Sequence, residues 1–128
     1  MSAVVAATAA ALTGCGAAAD EDDAAAVVDR FHRALAEGDG RAACRLLSPR
    51  LESQLPAAGE SCAEAVLAKQ VPEPGRPVEA SVYGTMAQLR YDGDTVFLTE
   101  LERAGWRIVA AACSEVPGHP YDCRVSAG

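Results

Sequence analysis

Residues 78–112, VEASVYGTMAQLRYDGDTVFLTELERAGWRIVAAA, decide the fold. Val78, Ala80 and Val82 alternate with polar or small residues, and Ala87, Leu89 and Tyr91 resume that period after Gly84-Thr85, which allows a tight turn or a bulge. Asp92-Gly93-Asp94 is a strong hairpin signal. Thr95–Leu101 reads as the next strand, with Val96 and Leu98 on one face and Phe97, Thr99 and Leu101 on the other. Arg103-Ala104-Gly105 turns the chain into a strand from Trp106 to Ala112, where Trp106 and Ile108 share a face. The tail from Cys113 to Gly128 contains Pro117, Gly118 and Pro120 and is expected to be irregular.

Upstream of Pro72, Pro74, Gly75 and Pro77 the period is helical. From Ala24 to Glu37, Val27, Phe31, Ala34 and Leu35 fall on one face, and Asp29 and Arg33 stand four apart for a weak pair. Gly38 ends this helix as a C′ residue, and Asp39 caps a short one over about Gly40–Leu47. Ser48-Pro49 opens a brief helical turn containing Leu51 and Leu55. Pro56–Glu60 reads as a loop, and Ser61 with Glu64 makes a capping box for a helix of about Cys62–Gln70. Helices first and an antiparallel meander second is an α+β order.

The chain has 128 residues, enough for one domain. Half the residues are apolar, but 28 are Ala, so the core rests on a few larger side chains and covalent staples are expected to matter. Arg outnumbers Lys ten to one and Asn is absent, a GC-rich coding bias without mechanical meaning. The net charge of −7 disfavours nucleic acid and anionic headgroups alike. Attachment to a membrane therefore requires a lipid.

Ala3–Gly14 is an uncharged, mostly apolar run, too short for the roughly 20 residues of a bilayer span but within the roughly 7–15 of a signal-peptide core. It ends in Leu12-Thr13-Gly14-Cys15, which resembles the lipobox of bacterial lipoproteins, in which the Cys thiol receives a diacylglyceryl group. Only Met1 and Ser2 precede the run, where a signal peptide carries Lys or Arg, so its natural start is expected further upstream. The alternative is an Ala-rich helix within the fold. Residues 1–14 are thus expected to be a signal peptide, residues 15–23 a lipidated Cys and flexible acidic tether, and residues 24–128 a single domain. In that tether Asp20–Asp23 precede the helix start, where its macrodipole favours acids.

The stretch Val27–Asp39, then Ala42-Ala43-Cys44-Arg45-Leu46-Leu47, resembles the opening of NTF2-like actinobacterial lipoproteins. Gly105-Trp106-Arg107-Ile108 and Pro120-Tyr121-Asp122-Cys123 are similar to later parts of that family, and the likeness covers roughly residues 24–125. The resemblance implies a cone-shaped, cystatin-like α+β fold whose sheet curls around a long helix. The wider superfamily holds isomerase-like and dehydratase-like enzymes beside many non-catalytic binding domains, so fold alone assigns no activity.

Five cysteines is an odd count for an exported protein. With lipid on Cys15, four remain to pair in an oxidising compartment. Four allow three connectivities, and nearest neighbours in sequence give Cys44–Cys62 and Cys113–Cys123. Cys113, His119 and Cys123 with one more ligand could make a zinc site, but no C-x₂₋₄-C spacing supports one. Asp20–Asp23 lack the spaced oxygens of a calcium loop. No metal and no cofactor is expected.

His32 and Asp29 are the weak candidates for a general base, with Tyr83 or Tyr91 as an oxyanion donor. His32 follows Phe31 and so points about 100° from the apolar centre of its helix. The favoured reading makes it a half-exposed neighbour of a surface Asp–Arg pair, with His119 in an exposed loop and Trp106 in the core. The expected function is therefore a membrane-anchored extracytoplasmic domain without evident catalysis, binding a partner protein of the envelope or a small apolar ligand. The alternative is a small NTF2-like enzyme of isomerase or dehydratase type using a pocket His or Asp.

Overall fold

The computed structural model describes residues 15–127, so the expected signal peptide at 1–14 lies outside the described residues. The chain is α+β: among the described residues four helices precede an open five-stranded antiparallel sheet.

Helix α1, Cys15–Ala36, starts nine residues before the expected Ala24. The acidic stretch expected as a flexible tether continues the helix: Ala17-Ala18-Ala19 carry the highest helix propensity, and Asp20–Asp23 lie inside the helix instead of capping it. Ala24, Val27, Val28, Phe31 and Ala34 are buried along one side. The end follows the Gly38 signal. Gly38 has φ +70°, its N–H donates to Leu35 O at 3.0 Å, and the Asp39 N–H donates to Ala34 O at 2.8 Å. That pair of bonds is the Schellman arrangement, which occupies the last carbonyls and turns the chain.

Helix α2, Gly40–Arg45, is capped by Asp39, which accepts from the Ala42 N–H at 3.0 Å. Helix α3, Pro49–Gln54, has Ser48 as its cap and Pro49 at its first position. Helix α4, Cys62–Ala68, begins with the expected capping box: Ser61 Oγ accepts from Glu64 N–H at 3.1 Å and Glu64 Oε2 accepts from Ser61 N–H at 3.0 Å. Gly40 packs directly on α4. A Cβ there would stand 2.6 Å from Ala63 O, so no larger residue fits without displacing backbone. The Cys44–Cys62 disulfide ties the same two helices.

Strands β1 (Pro77–Tyr83), β2 (Met86–Tyr91), β3 (Thr95–Leu101), β4 (Gly105–Val116) and β5 (His119–Ser126) pair in sequence order. The tail expected to be irregular is instead the end of β4, a two-residue turn and β5. Pro117 and Gly118, with φ +75° at Gly118, fit the centre of a type II turn rather than a break. Pro120 is tolerated because β5 is an edge strand. The Cys113–Cys123 disulfide joins directly opposed residues of β4 and β5, 4.0 Å apart at Cα.

The helices cover one sheet face, where Ala87, Leu89, Tyr91, Val96, Leu98, Trp106, Ile108, Ala111 and Val125 meet Phe31 and Leu47. Strand β4 bends over α1 through two register shifts against β3, one of them at Ala112 with φ +54°. The helical layer also grafts onto the sheet through backbone. Ser48 N–H donates to Ile108 O at 2.8 Å, and Ile108 N–H donates to Leu46 O at 2.9 Å.

Candidate functional site

The β2–β3 turn carries a carboxylate into the interior. Tyr91 N–H donates to Asp94 O at 2.7 Å, which closes the turn around Asp92-Gly93. The proline-rich segment braces it from outside: Asp92 N–H donates to Arg76 O at 3.0 Å and Gly93 N–H to Pro74 O at 2.9 Å. Asp94 then points inward with no side-chain exposure. Its Oδ1 accepts from Cys113 N–H at 3.0 Å, and its Oδ2 lies 3.2 Å from His32 Nε2.

His32 therefore sits 11% exposed, facing a buried partner rather than the surface Asp29–Arg33 pair expected beside it. No Asp29–Arg33 ion pair forms among the described residues; the two ion pairs there are His32–Asp94 and Arg90–Glu79. On the same helix stripe Val28 is buried and Leu35 is partly buried against the core, so the apolar face extends beyond Phe31. His32 Nδ1 lies 3.0 Å from Val28 O, so both ring nitrogens face oxygens of the protein itself. Phe31 and Tyr91 meet the imidazole edge to face, with centroids at 5.5 and 6.1 Å.

Tyr91 completes the cluster. Burial, then the Asp29 and Asp94 carboxylates, push its phenol up to about 12, since each disfavours a phenolate. A cleft of about 320 Å³ runs past Tyr91, Asp94, Cys113 and Glu115. A groove of about 230 Å³ between α1 and β1 runs past Asp29, Val78, Leu89 and Tyr91. His32 lines neither.

Of the sequence candidates, His32 and Tyr91 come together, and Asp29 reaches the same groove as Tyr91 from an exposed position. Tyr83, 69% exposed at the far end of β1, takes no part. Trp106 is buried, and His119 is exposed beside the β4–β5 turn. Tyr121 lies on the helix-free face of the sheet against Phe97, donating to Glu115 Oε1 at 3.0 Å and accepting from Gln88 Nε2 at 3.2 Å. That bond to Glu115 is the main reason its phenol is raised.

Asp94 is the residue sequence reasoning missed. Its signal was strand parity, since 94, 96 and 98 share the face that carries Val96 and Leu98. Among the described residues no group of three or more His, Cys, Asp or Glu is placed to hold a metal, and no helix is long and apolar enough to cross a membrane. No protein-family profile, curated protein or solved structure matches this chain.

Proposed function

We propose that this chain is a lipid-anchored, extracytoplasmic binding domain of the NTF2-like type, held at the membrane through Cys15. The observation that carries the reading is the cysteine arithmetic. Cys44, Cys62, Cys113 and Cys123 are joined in two disulfides, and the fifth cysteine follows Leu12-Thr13-Gly14. Disulfides persist in oxidising compartments, which supports export. The helices-then-meander order supports the NTF2-like assignment.

Binding is preferred to catalysis because of His32. A general base needs a nitrogen directed at substrate, and both of its nitrogens face protein oxygens. Asp29 shares the β1 groove with Tyr91 but His32 does not line it, and Tyr83 lies exposed at the far end of β1, so His32 joins no acid–base set in that groove. The His32–Asp94 pair instead serves as a structural cross-link.

Intact mass of protein from its native membrane tests the proposal. The expected species lacks residues 1–14, carries a diacylglyceryl adduct on Cys15, and is four hydrogens lighter than its reduced form. Mature protein retaining those residues, or titrating five free thiols, overturns it. Cys15→Ser is expected to move the domain from the membrane to the soluble fraction.

A further inference from the structure

A second groove along α1 shares Asp29 with the β1 groove. It has a volume of about 490 Å³ and runs between α1 and the β3–β4 hairpin. Three arginines line it: Arg30 and Arg33, three apart on α1, and Arg107 from β4. The buried Trp106 forms part of its wall. Asp23, Asp29 and Glu100 line it too, yet none stands at ion-pair distance from any of the three arginines.

Arg30, Arg33 and Arg107 form no ion pair among the described residues, although carboxylates line the same groove. Arg107 is also preset. It is half-buried, and its Nη1 donates to Trp106 O at 2.8 Å, which fixes the head while leaving other N–H donors free. The planar guanidinium fork matches the oxygens of a phosphate group, and three forks exceed what one carboxylate needs.

We propose that this groove binds a phosphate group, presented by a small phosphate ester or by a lipid headgroup. This inference names the ligand class for the binding role proposed above and rests on that role. The acidic surface of the chain gives no long-range attraction to an anion, so capture depends on the local forks. Binding is accordingly expected to weaken with salt and to be sensitive to each arginine. Asp23, Asp29 and Glu100 oppose it, and removing one of them is expected to tighten it.

The test is a titration of the oxidised, unlipidated protein, read from arginine side-chain and backbone amide resonances. Glycerol phosphate is the soluble probe, and vesicles containing phosphatidylglycerol are the lipid probe. Saturable shifts confined to Arg30, Arg33 and the Gly105–Arg107 backbone are expected. Arg33→Ala and Arg107→Ala are each expected to weaken binding about tenfold or more. Glu100→Gln is expected to strengthen it several-fold, a gain that a misfolded variant does not produce. Arg90→Ala, outside the groove and paired with Glu79, is expected to change nothing.

A response to both probes assigns a soluble ester, and a response to vesicles alone assigns a headgroup. No saturation with either probe, or shifts spread equally over Arg90 and Arg124, overturns the inference. Because the titrated protein carries no lipid, that failure leaves anchoring through Cys15 standing. A failed mass experiment likewise leaves the groove standing.

Discussion

Asp94→Ala removes a carboxylate that joins three separate elements. Two costs follow from the geometry. Cys113 N–H, buried and bonded at 3.0 Å, loses its acceptor, worth about 1–3 kcal/mol. His32, 11% exposed and 3.2 Å from Asp94, loses its hydrogen-bond partner, which costs a further amount of about 1–3 kcal/mol, that of an unsatisfied buried group. The two overlap, because both describe uncompensated groups around one void, so the combined loss is expected at about 2–4 kcal/mol. Against a typical stability of about 5–15 kcal/mol, this is a sizeable share.

Urea unfolding of the oxidised protein at neutral pH measures the loss. His32→Ala, Asp94→Ala and the double variant close a thermodynamic cycle, with an expected coupling of about 1–3 kcal/mol between the two sites. Asp94→Asn is expected to fall between parent and Ala, since its amide oxygen still accepts from Cys113 N–H. A loss below about 1 kcal/mol for Asp94→Ala, or a double variant that equals the sum of the singles, refutes the cross-link.

Replacing Cys44 and Cys62 together by Ser, or Cys113 and Cys123 together, is expected to cost about 3 kcal/mol each, from the loops that separations of 18 and 10 residues close. Thermal unfolding is expected to show this as a midpoint roughly 10–20 °C lower, and an unchanged midpoint in either variant contradicts the assignment of that staple. Tyr91 ionises at about 12 in the folded chain against about 10 unfolded, so the folded state holds its proton more tightly. Stability tied to Tyr91 is thus complete below about pH 10 and is lost toward about pH 12, at no more than roughly 1.4 kcal/mol per pH unit. Phenolate absorbance is expected to show a late-ionising tyrosine near pH 12 that Tyr91→Phe removes, and its persistence in that variant assigns the shift elsewhere.

The features legible in the sequence were those whose cause is local. Gly38, Asp39, Ser48-Pro49 and the Ser61–Glu64 box mark helix ends through bonds spanning a few residues, and each lies where its chemistry requires. Parity likewise put Val96 with Leu98 and Trp106 with Ile108, and those are the faces that are buried. What was not legible depends on partners distant in sequence, or on one residue type serving two purposes. Pro117-Gly118 reads as a break until β4 and β5 are seen to need a two-residue turn. Ala17–Asp23 reads as a tether if the acids are weighed above the alanines. Helical spacing gave Phe31 a buried face, but the width of that face depends on sheet curvature, so His32 was placed outside it. Asp94 is accounted for by its turn alone, and the contact of its Oδ2 with a histidine 62 residues away leaves no local signal.

The Gly40–Ala63 approach and the Cys44–Cys62 bond make α2 and α4 a unit that cannot drift apart even when the rest of the chain loosens. Among the described residues its backbone-to-backbone bonds to the sheet are the two at Ile108, beside one from the Arg124 guanidinium to Gln70 O at 3.1 Å. Partial opening therefore has a natural seam: the stapled pair can lift off as one body while the ladder between β3 and β4 stays shut. Amide exchange would register this as two groups of protons leaving at different free energies, with Ile108 and Ser48 exchanging in step with the helices rather than with the strands.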